Sequence, residues 1–201
     1  MKKFKQDIAA VGFLTLGLFL CFALVSFNPL DPSINSIGNG LKVTNFCGYV
    51  GSFLSDLLYQ AFGLSSWLLV VGAIRASYLS FLGEGYSFRN AKFVWGILLT
   101  FATSALLTIY FPNVKIFQGQ IYLGGLTGLG IGVGLERAFN HVGVQIILWM
   151  SIVLLVVFYF DKALSELVKY PKLFVFAAGS KINSLYKNLK SVFKFEQTLI
   201  K

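Results

Sequence analysis

The stretch Ile8–Phe27, IAAVGFLTLGLFLCFALVSF, and the residues that end it, Ser26-Phe27-Asn28-Pro29-Leu30-Asp31-Pro32-Ser33, decide the fold. Twenty consecutive residues carry no charge, enough for a helix to cross the hydrocarbon core of a bilayer. Lipid offers no partner for backbone N–H and C=O groups, so such a run has to be helical. The stop has a steric cause. Pro29 disfavours helical geometry at Asn28, and Pro32 does the same to Asp31. Asn28, Asp31 and Ser33 can each close a local turn with the side chain. The motif predicts a rigid exit from the membrane.

The whole chain agrees with that reading. Its 201 residues are 56% apolar and 12% charged, with a mean hydropathy of +0.74. A soluble domain is about a quarter charged, so a soluble globular fold is excluded. Three further uncharged or nearly uncharged runs are expected to cross, at about 57–74, 93–111 and 142–160. The expectation is an all-α, polytopic membrane protein with four transmembrane helices over 1–165, followed by a juxtamembrane segment, 166–201. Lys2, Lys3 and Lys5 resemble the start of a signal peptide. The run behind them is too long, and Asn, Pro and Asp follow it instead of a small-residue cleavage site, so it is read as a retained helix. Cys21 and Cys47 sit at different depths and read as packing residues, not as a disulfide or metal pair.

Charge placement sets the expected orientation. The net charge is +9, and fourteen of the 17 Lys and Arg fall before the first span, after the second and after the fourth. Arg75 is counted in the loop after the second span. Lys42, Lys115 and Arg137 are the remainder. Short loops rich in Lys and Arg stay cytoplasmic, so both termini are expected there. On the other side lies 112–141, with Gly124, Gly125, Gly128, Gly130, Gly132 and Gly134. Glycine alternating with Leu, Ile and Val is apolar. It reads as a half-membrane or interfacial segment packed on the bundle. A phosphate-cradling loop is disfavoured, because neither GxGxxG nor GK[ST] is present.

Small and hydroxyl residues mark helix packing where lipid gives no reward for association. Gly96, Thr100, Ser104 and Thr108 form one stripe in the third span. Gly17 and Cys21 share that spacing in the first, and Gly51 and Ser55 precede the second. These contacts can lie within one chain or between copies. Asp56 reads as an outer-interface residue near a helix N-terminus, where the dipole favours it. His141 reads as interfacial, and Glu136 and Arg137 as solvated. No catalytic set, paired carboxylate or metal cluster emerges, so no enzyme activity and no cofactor are expected of this chain.

Beyond Pro171, Ile182, Leu185, Tyr186, Leu189, Val192 and Phe193 share one helical face, with Lys181, Lys187, Lys190 and Lys194 among the basic residues of this segment. This predicts a basic amphipathic helix on an anionic inner leaflet. DNA binding is the alternative.

Ala23-Leu24-Val25-Ser26-Phe27-Asn28-Pro29-Leu30-Asp31-Pro32-Ser33 is followed by Asn45, Gly48 and Gly51, then by Ser55-Asp56-Leu57-Leu58, Phe62-Gly63, and Gly124-Gly125 with Gly128. In that order these strings resemble the N-terminal membrane domain of the FtsK/SpoIIIE family of bacterial DNA translocases. The resemblance implies a four-helix domain in the bacterial inner membrane at the division septum. It also implies homo-oligomerisation, contact with other division proteins, and a role in chromosome partition. An ATP-driven hexameric DNA motor would lie downstream, and any contact with DNA would be made through it. The chain is then a fragment of a translocase or a stand-alone relative. A septum-targeting membrane anchor is the leading functional expectation. A small oligomeric transporter or channel, lined by Thr100, Ser104 and Thr108, and a scaffold unrelated to division are the alternatives.

Overall fold

The computed structural model describes residues 2–34, 36–37, 42–83 and 91–161. Met1–Tyr159 forms one compact unit, and the next, Phe160–Lys201, is described only at its first two residues. The expected amphipathic helix, with Lys181, Lys187, Lys190 and Lys194, lies outside the described residues.

Five helices and one hairpin follow in order: α1 Lys2–Val25, α2 Gly48–Phe62, a 3-10 turn Gly63–Ser66, α3 Trp67–Phe81, α4 Ala91–Tyr110, β1 Lys115–Ile116, β2 Ile121–Tyr122 and α5 Gly125–Phe160. Four stretches are long and apolar enough to cross a membrane: Lys3–Val25, Gly48–Phe81, Lys92–Tyr110 and Gly125–Phe160.

The second stretch is not the single helix expected over 57–74. Gly63 adopts φ +57°, a conformation that costs glycine little, and it ends α2. Ser66 Oγ donates to the carbonyls of Leu58 and Gly63, satisfying groups that the break frees. Hydropathy registers only the apolar run and misses this turn.

The break redirects the chain. The α2 N-cap thiol, Cys47 Sγ, donates to Phe19 O, and Tyr59 OH near its other end donates to Leu24 O. A 15-residue helix is about 22 Å long, yet these two α1 carbonyls are about 8 Å apart along their axis. Helix α2 therefore lies across the end of α1. Helix α3 alone runs back along α1. Leu20 and Leu24 cluster with Val70, Gly17 abuts Ala73 and Ile74, Ser77 Oγ donates to Ala10 O, and Gln6 Nε2 donates to Gly83 O. Gly17 permits the approach, since a Cβ there would lie 3.1–3.3 Å from α3.

Helix α5 is broken at Asn140 (φ 59°, ψ 166°). Its first arm carries the glycine series and its second is the expected fourth span. The second arm packs on α4 through Val144 and Leu148 against Ala105 and Ile109, with Trp95 stacked on Phe158 at 5.1 Å. Tyr159 fills the space beside Gly96.

Candidate functional site: a polar cap on the bundle

The helix-stop motif builds a knot of buried hydrogen bonds. Leu30 N donates to Asn28 Oδ1, closing an Asx turn. That turn helps place the Asp31 carboxylate, which accepts from Thr44 N, Thr44 Oγ1 and Asn45 N at 2.9–3.1 Å. Asp31 is only 4% exposed. Asn28 Nδ2 adds a bond to Thr44 Oγ1. Residues 28–31 and 44–45 are thereby tied across a gap of more than ten residues.

Asn45 carries the restraint back to α1. Its Nδ2 donates to Ala23 O and Ser26 O, carbonyls with no helical partner at the end of α1, while its Oδ1 accepts from Cys47 N. Gly51 leaves room for it, since a Cβ there would sit 2.3 Å from Asn45 Oδ1. Ser26 Oγ donates to Phe22 O and accepts from Phe46 N. Ser52 Oγ donates to Pro32 O, and Ser33 N to Ser36 O. Cys47 is a free thiol whose ionisation burial pushes above the ordinary cysteine value.

An aromatic cluster lies beneath. Phe27, Tyr59 and Phe117 meet pairwise at 4.8–5.1 Å, and Trp67 Nε1 donates to Tyr59 OH. Phe117 comes from the tip of the hairpin, where Lys115 pairs with Tyr122 and Ile116 with Ile121. Phe117 and Gln118 both take positive φ, which turns the Phe117 ring inward. The hairpin thus docks on the α1 exit.

A second knot joins α4 to the glycine series. Ser104 Oγ donates to Gly124 O and lies 3.1 Å from Thr127 Oγ1, which donates to Ala61 O. Thr100 Oγ1 bonds back to Gly96 O, and Thr108 Oγ1 to Ser104 O. Cβ atoms at Gly124 and Gly128 would lie 2.2–2.6 Å from Thr108 Oγ1 and Ser104 O. Leu64 N donates to Leu123 O, beside Gly63 and Gly125. The glycines therefore serve backbone-to-backbone contact, and the segment is a helical arm folded on α4. Gly132 faces Ile109 and Thr108, whereas Gly130 and Gly134 have nothing within 4 Å.

The stripe of the third span is thus turned into the chain. Thr100, Ser104 and Thr108 are all buried. Ser55, also buried, donates to Ser52 O, and Cys21 packs at the margin of the α1–α3 core.

Three placements differ from expectation. Asp56 is mid-helix and 4% exposed on the inward face of α2, so no helix N-terminus supports it. Its Oδ1 lies 3.5 Å from Gln60 Nε2 and its Oδ2 has no hydrogen-bond partner. Arg75 belongs to α3, not to the following loop, because the helix continues to Phe81. Its guanidinium stands 4.7 Å over the Tyr159 ring. Glu136 is not merely solvated: Oε1 is 2.8 Å from His141 Nδ1, across the α5 break. His141 Nε2 in turn is 2.9 Å from Gln145 Nε2. Helical spacing does not find the Glu136–His141 contact, since Asn140 interrupts it, whereas His141 and Gln145 stand four apart on the second arm.

Thr44, Tyr59, Phe117 and Thr127 also carry the cap without a sequence signal. Each is an ordinary residue whose partner is distant in the chain. Among the described residues, no group of three or more His, Cys, Asp or Glu could hold a metal ion.

Residues 2–170 match the family described as the 4TM region of DNA translocase FtsK/SpoIIIE. The chain is 29% identical over 152 residues to the DNA translocase FtsK of Rickettsia prowazekii, covering 75% of this chain and 20% of the relative. It is 33% identical over 131 residues to that of Caulobacter vibrioides, covering 63% and 15%. With the Rickettsia bellii protein it shares 27% identity over 188 residues, covering 92% and 24%. No solved structure matches. The chain spans about a fifth of the length of the curated relatives it matches. With four helical stretches able to cross a membrane and a match over 169 of its residues, this chain belongs to the family of FtsK/SpoIIIE four-helix membrane domains.

Proposed function

We propose that this chain anchors a DNA translocase in the inner membrane at the division septum, with both termini in the cytoplasm and the polar cap outside. The match over residues 2–170 to the membrane region of translocases carries this reading. The grouping of basic residues supports the orientation. Lys3 and Lys5 start α1, Lys92 starts α4, and the basic 166–201 segment follows α5.

The chain itself is a non-catalytic anchor in this reading. Holding several motor subunits in one small patch of membrane raises their effective concentration, so a homo-oligomer assembles around DNA without new contacts. Its cap, tied by Asp31, Asn45 and Ser104, is a rigid outer surface for other division proteins. A fluorescent protein fused after Lys201 tests the reading in dividing cells. A midcell band is expected. Uniform envelope labelling in cells that are constricting refutes septal targeting, and alkaline phosphatase activity from a fusion at the same point refutes the orientation.

A further inference from the structure

A cleft of about 240 Å³ lies between α1, α3 and α4, reaching from the level of Leu20 toward Phe93 and Tyr159. Gly72 and Gly96 line it. Tyr159 occupies the space beside Gly96, while Gly72 leaves the cleft open, since a Cβ there would meet only Tyr159 OH, at 3.5 Å. Leu16 on its wall is 42% exposed, so the cleft opens sideways from the bundle. Apart from the Tyr159 hydroxyl, its lining side chains are hydrocarbon.

One turn beyond Gly72 on α3 stands Arg75, whose guanidinium rests over the ring of Tyr159. Arg75 is the only charged residue between Asp56 and Gly83. A cation within a membrane-crossing helix is costly and marks a site by default. Its own element ends at Phe81, about 9 Å further along the axis, within reach of the headgroup layer for a long side chain. Lys3, Lys5 and Lys92 lie in the helix turns at that same end.

We propose that this cleft binds one anionic phospholipid, with an acyl chain between α1, α3 and α4 and the phosphate held by Arg75. An apolar cavity in this position stays dry and fills with hydrocarbon. A protein helix, about 10 Å across with its side chains, does not fit. The planar fork of arginine matches phosphate oxygens, and the lysines at the same end favour a negative headgroup.

The test uses the full 201-residue chain, reconstituted in nanodiscs of phosphatidylglycerol and phosphatidylcholine in equal parts. After transfer to mild detergent, native mass spectrometry counts the lipids retained. The expected preference for phosphatidylglycerol is about tenfold. Arg75→Gln abolishes the preference. Gly72→Leu fills the cleft and abolishes retention of either lipid. Gly12→Leu, a matched change with nothing within 4 Å of its Cβ, leaves retention unchanged. Melting curves verify that each variant is folded, and Arg75→Gln decides alone if Gly72→Leu is not. Equal retention of the two lipids by the unaltered protein overturns the proposal. So does a phosphatidylglycerol preference that survives Arg75→Gln.

Discussion

Removing the Asp31 carboxylate should loosen the strap that ties residues 44–47 to α1. In Asp31→Ala the N–H groups of Thr44 and Asn45 and the Thr44 hydroxyl lose their shared acceptor. A buried donor left without a partner costs about 1–3 kcal/mol. Asn45 is buried, while the Thr44 contacts are partly buried and recover some hydration. The expected loss is about 3–4 kcal/mol. Asp31→Asn keeps one acceptor oxygen but presents an N–H₂ to other donors, and should cost about 1–2 kcal/mol. Cys47 reports the change locally, because its N–H is held by Asn45 Oδ1 and its thiol is held on α1. Burial raises its pKa above the usual cysteine value, so at neutral pH little thiolate is present to react. Opening the strap lets the pKa fall back toward the free value and enlarges the thiolate fraction. In a Cys21→Ala background, maleimide labelling at neutral pH should rise on Asp31→Ala. The pH at which labelling reaches half its maximum should move downward. If melting temperature and labelling rate both stay as in the parent, the carboxylate does not hold the strap.

The glycines should separate sharply by position. Gly63→Ala places a Cβ against Leu123 O at positive φ, and should cost about 2–4 kcal/mol, read as lost yield of monodisperse protein in detergent. Gly128→Ala meets Ser104 O and should destabilise by about 1–3 kcal/mol, whereas Gly130→Ala meets nothing and should be neutral or stabilising by up to about 1 kcal/mol in thermal melts. Ser104→Ala leaves Gly124 O without its donor and should cost about 1–2 kcal/mol by the same measurement. Tyr59→Phe removes the donor to Leu24 O and the acceptor of Trp67 Nε1, so Trp67→Phe in that background should cost less than it does alone.

Legibility in the sequence followed the range of the interaction. The first span and its stop are local. Twenty uncharged residues and two prolines act through adjacent backbone, and α1 ends at Val25, two residues short of the expected Phe27. The third span and the hydroxyl stripe on it follow from helical spacing alone. The second span is there, but the bounds 57–74 miss its turn, because hydropathy cannot see Gly63, which continues an apolar run by composition while ending α2. Charge counting puts Arg75 in the following loop for a related reason: it takes cations to mark span ends, and here the helix runs past one.

The cap shows the same division within a single motif. Asn28 and the prolines are readable because they act on their neighbours. The task of Asp31 is not, because its donors at Thr44 and Asn45 reach it only after the chain has turned back. Gly124 and Gly128 could be read as packing residues, but not as the sites of contact with Ser104 O. In lipid, that second kind of contact sets the architecture. With no hydrophobic reward for pairing helices, specificity falls to close backbone approach and to buried polar bonds. Both kinds join residues far apart in sequence here, from Ala23 to Asn45 and from Ala61 to Thr127. The rigid exit that opens the sequence is therefore half of a structure whose other half is scattered over a hundred residues, and only their meeting makes it a cap.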